Sequence, residues 1–185
     1  MNEKDILELI KNDEWMMNIL RAARSLNLPD WWIGAGFVRS KIWDYLHQYE
    51  KRTPLPDVDV IFFDEHNILS DEEEQVFQLQ LAKIVPEVLW SVTNQARMHT
   101  EKGDLPYHSA TEGLATWCEL PTCIGVTLLA DDRLQLTAPW GIEDLVNLRV
   151  TANPISKNNP QAFIDRVQKK NWIKIWPNLK VIWPQ

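Results

Sequence analysis

Basic charge, cysteine and glycine are all scarce in this chain. Lysine and arginine total 19 against 26 acidic residues, a formal charge of −7. That deficit weighs against a protein whose main business is gripping a nucleic-acid backbone, which needs a basic stripe, although a local basic patch stays open. The only two cysteines, Cys118 and Cys123, sit in CELPTC. This is not zinc-ligand spacing, and no His/Cys cluster completes one, so both are expected as reduced, partly buried thiols. No apolar run reaches membrane-spanning length, and the N-terminal MNEKDILELIKNDEW has no signal-peptide core. The expected location is the cytoplasm, with no membrane partner. There is no internal repeat and no low-complexity segment. Only six glycines occur in 185 residues, and two of them, Gly34 and Gly36, stand almost side by side.

What is present fits a soluble globular protein, with 45% hydrophobic and 24% charged residues. The length is enough to bury a core without disulfide or metal staples. A single domain over 1–185 is expected: a helical segment at 1–28, a core at about 30–155, and a C-terminal helix and strand within 156–185. Ten tryptophans are many. Large amphipathic rings fill cores and rims well, and some can stack on a base. Apolar spacing predicts helices over 3–10, 14–26 and 37–46. Ser70 followed by Glu73 is a capping-box pattern, so 71–85 reads as a helix with DEEE as its first turn, favoured by the helix dipole rather than reserved for metal. Strands are expected at WWIG, 57–64, 87–93 and a hairpin of 123–130 with 134–138 around DDR. Further helices fall at 109–118 and 141–148. A last helix begins with Asn159 as cap and Pro160 at its first position, and runs to about Lys170. LKVIW reads as a final strand. Strands and helices mix without strict alternation, which points to an α+β or α/β domain around a small mixed sheet.

Two stretches carry the chemistry. In WWIGAGFVR, at 31–39, Gly34 and Gly36 lie between an apolar strand and a helix. Such a turn lets the backbone approach a phosphate and leaves N–H groups at a helix N-terminus to receive charge. A glycine turn also simply connects strand to helix, so the pair carries little alone. It lacks the third glycine of a dinucleotide fingerprint and the GK[ST] of a P-loop, which excludes both. In DVDVIFFD, at 57–64, Asp57 and Asp59 are two apart on a strand and so share a face, with Cα atoms about 6 to 7 Å apart. That suits carboxylates clasping one or two Mg²⁺ ions. An isolated DxD can equally be a solvated strand start; the upstream glycine turn favours the site.

A glycine turn after a strand, Val38-Arg39 on the helix and DxD on the next strand together resemble the nucleotidyltransferase core of the DNA polymerase β superfamily. WIGAGFVR and DVDVIFFD are similar to the head of CCA-adding enzymes. VTNQARMH at 92–99, the Trp117 segment, TCIGVTL at 122–128 and APWGIEDL at 138–145 look like a family of small bacterial nucleotidyltransferase-like proteins. The resemblance runs from about residue 30 to 155. It implies an α+β polymerase β-like nucleotidyltransferase domain, a small mixed β-sheet flanked by helices. It also implies roles: Gly34 and Gly36 hold a triphosphate, Asp57 and Asp59 bind Mg²⁺ (or Mn²⁺), and Arg39 braces the aspartates or reaches a phosphate. Arg97 and His99 are placed to contact phosphate or acceptor, and Asn94 and Gln95 ribose or base. NQARMH can also be no more than a hydrogen-bonded strand end.

One departure matters. Active members of that superfamily usually place a third carboxylate on a later strand, and the position aligned with it is nearest Asn94. An amide can ligate Mg²⁺ but is no base at neutral pH. Asp64, Asp104, Glu112 and Glu119 are substitutes by sequence proximity only. The leading expectation is a Mg²⁺-dependent nucleotidyltransferase moving an NMP from an NTP to an unidentified acceptor, a small molecule or protein in preference to RNA. The alternative is a catalytically silent nucleotide-binding or regulatory protein on the same fold. A third reading, a protein-binding module with a Trp-rich surface, would need a large exposed aromatic patch.

Overall fold

The structure is a computed structural model that describes residues 1–68, 70–103, 105–155 and 160–184. Two capped helices open the chain. Helix α1 (Glu3–Lys11) starts in a capping box in which Asn2 and Asp5 satisfy each other's backbone N–H. Helix α2 (Glu14–Arg24) is capped by Asp13. The same Asp13 carboxylate pairs with Lys41 Nζ at 2.7 Å and Arg52 NH2 at 2.7 Å, which ties the start of α2 to the next helix and its trailing loop.

Strand β1 (Trp32–Gly34) then passes through a single residue, Ala35, into α3 (Gly36–Leu46). Strand β2 (Val58–Phe62) follows, then α4 (Asp71–Ile84), whose Ser70–Glu73 capping box forms as the sequence predicts. Strand β3 is Trp90–Asn94 and leads directly into α5 (Gln95–Lys102). NQARMH is therefore mostly helix rather than a strand end: the Asn94 side chain accepts from Ala96 N–H and caps α5, a role asparagine fills well. The rest of the core comprises α6 (Ala110–Ala115), a 3₁₀ turn (Leu120–Thr122), the hairpin β4 (Gly125–Leu128) and β5 (Leu134–Thr137), and α7 (Glu143–Val146). Strand β6 (Arg149–Thr151), helices α8 (Pro160–Lys170) and α9 (Trp172–Ile175) and strand β7 (Lys180–Ile182) complete the chain. The expected Asn159 cap lies outside the described residues.

The main sheet has the order β3-β2-β1-β4-β5. Only β2 and β3 run parallel; the other neighbours are antiparallel. The fold is thus α+β with a small mixed sheet flanked by helices, as the sequence indicates. Alternation sorts β2 cleanly. Val58, Val60 and Phe62 are buried in the large core with Ile33, Val92 and Val126, alongside Ile10, Leu20 and Ile42 of α1, α2 and α3. Asp57, Asp59 and Ile61 take the other face, where only a small apolar cluster of Trp32, Ile61, Ala110 and Leu114, with Phe63 and Trp117 against it, covers the sheet.

LKVIW does not join this sheet. β7 pairs in parallel with β6, which the sequence reading did not foresee, and forms a separate two-stranded unit. The chain between these strands packs against α3 through tryptophan. Trp43 makes edge-to-face contacts with Trp172 (centroids 5.6 Å apart) and Trp176 (5.1 Å). Trp176 Nε1 donates to Asp44 Oδ1 at 2.8 Å, and Thr53 donates to the same carboxylate through its N–H (2.8 Å) and hydroxyl (2.6 Å). Trp176→Phe should keep most of this packing but leave the buried Asp44 one donor short. Denaturant melts should show a loss of about 1–3 kcal/mol, and an unchanged midpoint would mean that water replaces the indole.

Candidate active site

The uncovered part of the β2 face becomes a cleft of about 500 Å³. It is lined by Asp57, just ahead of β2, by Asp59 and Ile61 of β2, by Ser91 and Thr93 of β3, and by Ala35, Gly36 and Arg39. The parallel register sets Asp59 beside Ser91, whose hydroxyl donates to the carboxylate.

Ala35 is the tight point of the strand-to-helix link, with φ 50° and ψ −121°. An L-residue is strained there by about 1–3 kcal/mol, and such strain persists only where the surroundings enforce it. Helix α3 starts with no side-chain cap, so its first N–H groups are left for solvent or a ligand, the usual seat for a phosphate. A Cβ on Gly36 would sit 3.4 Å from Leu55 and 3.5 Å from Arg39 NH2. Gly34 has a different task. A Cβ there would come within 3.1 Å of Leu114 and Trp117, and Gly34 is not on the cleft wall.

Asp57 is exposed at the mouth and Asp59 is half-buried. Burial, and then the neighbouring Asp57 charge, push the Asp59 carboxyl up to about 6; the Ser91 hydroxyl, Arg39 and Lys170 pull the other way. Arg39 is buried, with 7% of its surface exposed. Its guanidinium lies 4.4 Å from the Trp172 ring and 5.2 Å from that of Trp43, and its Nε has no hydrogen-bond partner among the described residues. Burial draws its value down to about 10, opposed by the charges of Glu119, Asp59 and Asp57.

Asp57, Asp59, Arg39 and Gly36 are thus brought together, along with Gln95. Asn94, Arg97 and His99 are not. Asn94 is fully buried, accepting from Asp64 N–H and donating to Asp64 O at 2.9 Å, which pins the loop after β2. Arg97 pairs with the buried Glu74 at 2.7 Å and with Asp71 and Glu101, bracing α5 against α4. His99 Nδ1 lies 3.0 Å from Ala96 O within its own helix. Of the substitute acids, Asp64 caps its own loop, Glu112 accepts from His108 N–H, and Asp104 lies outside the described residues. Glu119 is fully buried behind the cleft and holds Arg166 Nε at 2.6 Å.

Arg166 and Lys170 of α8 line the cleft, with Ala162 at the same four-residue spacing. The sequence reading missed them. A 162/166/170 stripe is visible in the sequence, but nothing local says that it faces β2 from so far along the chain.

Among the described residues no group of three or more Asp, Glu, His or Cys side chains is placed to hold a metal. Two carboxylates that repel each other still suit one hard cation, because Mg²⁺ commonly takes one or two carboxylates plus phosphate oxygens from its substrate.

A nucleotidyltransferase family model matches residues 21–181. The chain belongs to that family. This nucleotidyltransferase is similar over 98% of its length, and 96% of the other chain, to a protein whose NMR structure is described as revealing a CCA-adding enzyme head domain, with 32% identity and a TM-score of 0.85. A CCA-adding enzyme in complex with CTP is similar over 98% of this chain and 42% of its own, at 13% identity and TM-score 0.53. A tRNA-processing enzyme matches 89% of this chain and 43% of its own, at 19% identity and TM-score 0.52. The chain spans less than half the length of these last two, and at such identities they speak for the fold alone. No curated protein matches the sequence. The fold is the polymerase β-like one that the two sequence stretches suggest.

Asp59 gives the nucleotidyltransferase a pH signature. Its folded value, about 6, lies above the ordinary 3.8. Its protonated form therefore favours the fold; that contribution is complete below about pH 4 and is lost as pH rises through about 6. Asp59→Asn should be more stable than wild type by on the order of 1–3 kcal/mol at about pH 7.5, with the gain vanishing near pH 4. Thermal melts across this range that show a pH-independent difference would refute the buried-charge account.

Proposed function

We propose that this nucleotidyltransferase moves a nucleoside monophosphate from a nucleoside triphosphate to an acceptor hydroxyl, releasing pyrophosphate, with Mg²⁺ (or Mn²⁺) at Asp57 and Asp59. The observation that carries this reading is the meeting, in one cleft, of that carboxylate pair with the uncapped N-terminus of α3. Asp57 and Asp59 would hold the cation. A divalent ion held there neutralises charge on the attacking and leaving oxygens of an in-line displacement. The first N–H groups of α3 receive phosphate oxygens. Gly36 leaves the helix start free of a side chain; even a Cβ there would reach ordinary contact distance of Leu55 and Arg39. Arg39 faces the two carboxylates from below and holds them in place electrostatically. Trp117, on the cleft wall, offers an aromatic surface to the base.

A small molecule or a protein is favoured over RNA as acceptor, supported by the net charge of −7. The likeness to CCA-adding and tRNA-processing enzymes makes RNA the first competitor in an acceptor screen. A silent nucleotide-binding protein is the second reading. It is favoured by one observation: β3 brings Ser91 and Thr93 to the cleft rather than an acid. It predicts nucleotide binding without pyrophosphate release.

The test is thermal stability with each NTP, with and without Mg²⁺, in wild type and Asp57→Asn, followed by pyrophosphate release. An NTP at about 100 times its dissociation constant adds about 2.7 kcal/mol. A Mg²⁺-dependent shift that disappears in Asp57→Asn is expected. No shift with any NTP would sink the proposal, and a shift without pyrophosphate release against a panel of acceptors would move it to the silent reading.

A further inference from the structure

We propose that α8 carries the polyphosphate subsite of this cleft. Arg166 and Lys170, facing the carboxylates of β2 and joined by Arg39 from beneath, bind the β- and γ-phosphates of the nucleotide and the pyrophosphate that departs. This rests on the nucleotidyl-transfer reading for the identity of the ligand; the cation cluster itself is a feature of the fold.

Four observations support it. Ala162, Arg166 and Lys170 are spaced by four residues and all line the cleft, so one face of α8 forms its wall. The smallest of the three stands where the helix begins, which keeps the wall open. Arg166 is held by its Nε to the fully buried Glu119 at 2.6 Å, while 42% of its side chain remains exposed. A guanidinium fixed at one edge by a buried acid presents its other edge at little entropic cost. Lys170 is close enough to Asp59 to draw that carboxyl down, and Arg166 close enough to Arg39 to depress its value, so the charges lie within reach of one another. Finally, Arg39 is more than nine-tenths buried and its Nε has no partner among the described residues.

The charges explain why an anion belongs here. Arg39, Arg166 and Lys170 face Asp57, Asp59 and the buried Glu119. A divalent cation at the aspartates would leave the cleft with a positive excess concentrated toward α8. A nucleoside monophosphate has only its α-phosphate to offer to these cations, and that phosphate is the one required at the aspartates. A triphosphate carries two further phosphates, whose charge matches the excess.

The experiment is isothermal titration, in Mg²⁺, of inorganic tripolyphosphate, an NTP and the matching NMP into wild type, Lys170→Ala, Lys170→Arg and Lys169→Ala. Lys169 is an exposed neighbour on α8 that does not line the cleft, so its removal changes net charge equally. Lys170→Ala should weaken tripolyphosphate and NTP about tenfold or more, with NMP unchanged. Lys170→Arg should restore most of the loss, and Lys169→Ala should behave as wild type. Equal NTP affinity in wild type and Lys170→Ala would overturn the subsite while leaving nucleotidyl transfer standing. Equal losses in Lys169→Ala and Lys170→Ala would also overturn it, because a general surface field would then suffice. Tripolyphosphate binding through Lys170 in a protein that transfers no nucleotide would uphold the subsite and sink the transfer reading.

Discussion

A buried arginine holds this structure together around its cleft. Arg39 sits on α3, against the rings of Trp172 and Trp43, and feels the charges of Glu119, Asp59 and Asp57. Taking a guanidinium out of water is costly, and each neighbour offsets part of that cost. Besides Trp43 on α3 itself, the partners come from three distant stretches: β2 with the residue before it, the segment before the 3₁₀ turn, and α9. Satisfying one cation therefore fixes the relative position of the acidic floor, the helix start and the C-terminal helices. The guanidinium stays charged at neutral pH because its value falls only to about 10.

The same region departs from what stability alone would select. Asp59 is kept half-buried beside a like charge, Ala35 adopts a conformation that suits glycine better, and a polar nitrogen of Arg39 is left unsatisfied. In many other places local preference and tertiary structure agree: the Asn2 and Ser70 caps form, and β2 alternates as its residue types demand. Positive-φ residues and buried unpartnered polar atoms occur elsewhere too, as at Leu148 and Asp144, but in the cleft they coincide with two neighbouring carboxylates, and a cation and a phosphate would relieve the electrostatic discords there.

Much of this was legible in the sequence because the informative patterns are local. The period of two in DVDVIFFD put both carboxylates on one face, and the short link between WWIG and the next helix marked the strand-to-helix turn. What stayed hidden was long-range or conditional. Asn94 reads as a strand residue until one sees that the chain turns into α5 there, where an asparagine is worth more as a cap than as a ligand. Arg97 looks like a free cation near the site, but Glu74, one turn into an acidic helix, claims it. Arg166 and Lys170 lie more than a hundred residues from Asp59, and no spacing rule connects a helix face to a sheet across that distance. Gly34 and Gly36 look equivalent in sequence; sterics separate them, since a Cβ at Gly34 would press on Leu114 and Trp117 whereas one at Gly36 would make only ordinary contacts at the helix start.

The pairing of β6 with β7 has a mechanical consequence. These two short strands run parallel, so after β6 the chain goes on to α8 and α9 and then comes back at Lys180 beside Arg149, at the start of β6. The helix that walls the cleft is thus part of a closed loop, clasped at its base, rather than a tail resting on the surface. Tension applied to the C-terminus would load the three-residue β7 in shear before any of it reached α8, and a chain ending ahead of Lys180 would retain every residue of the cleft while losing the fastener that keeps its wall upright.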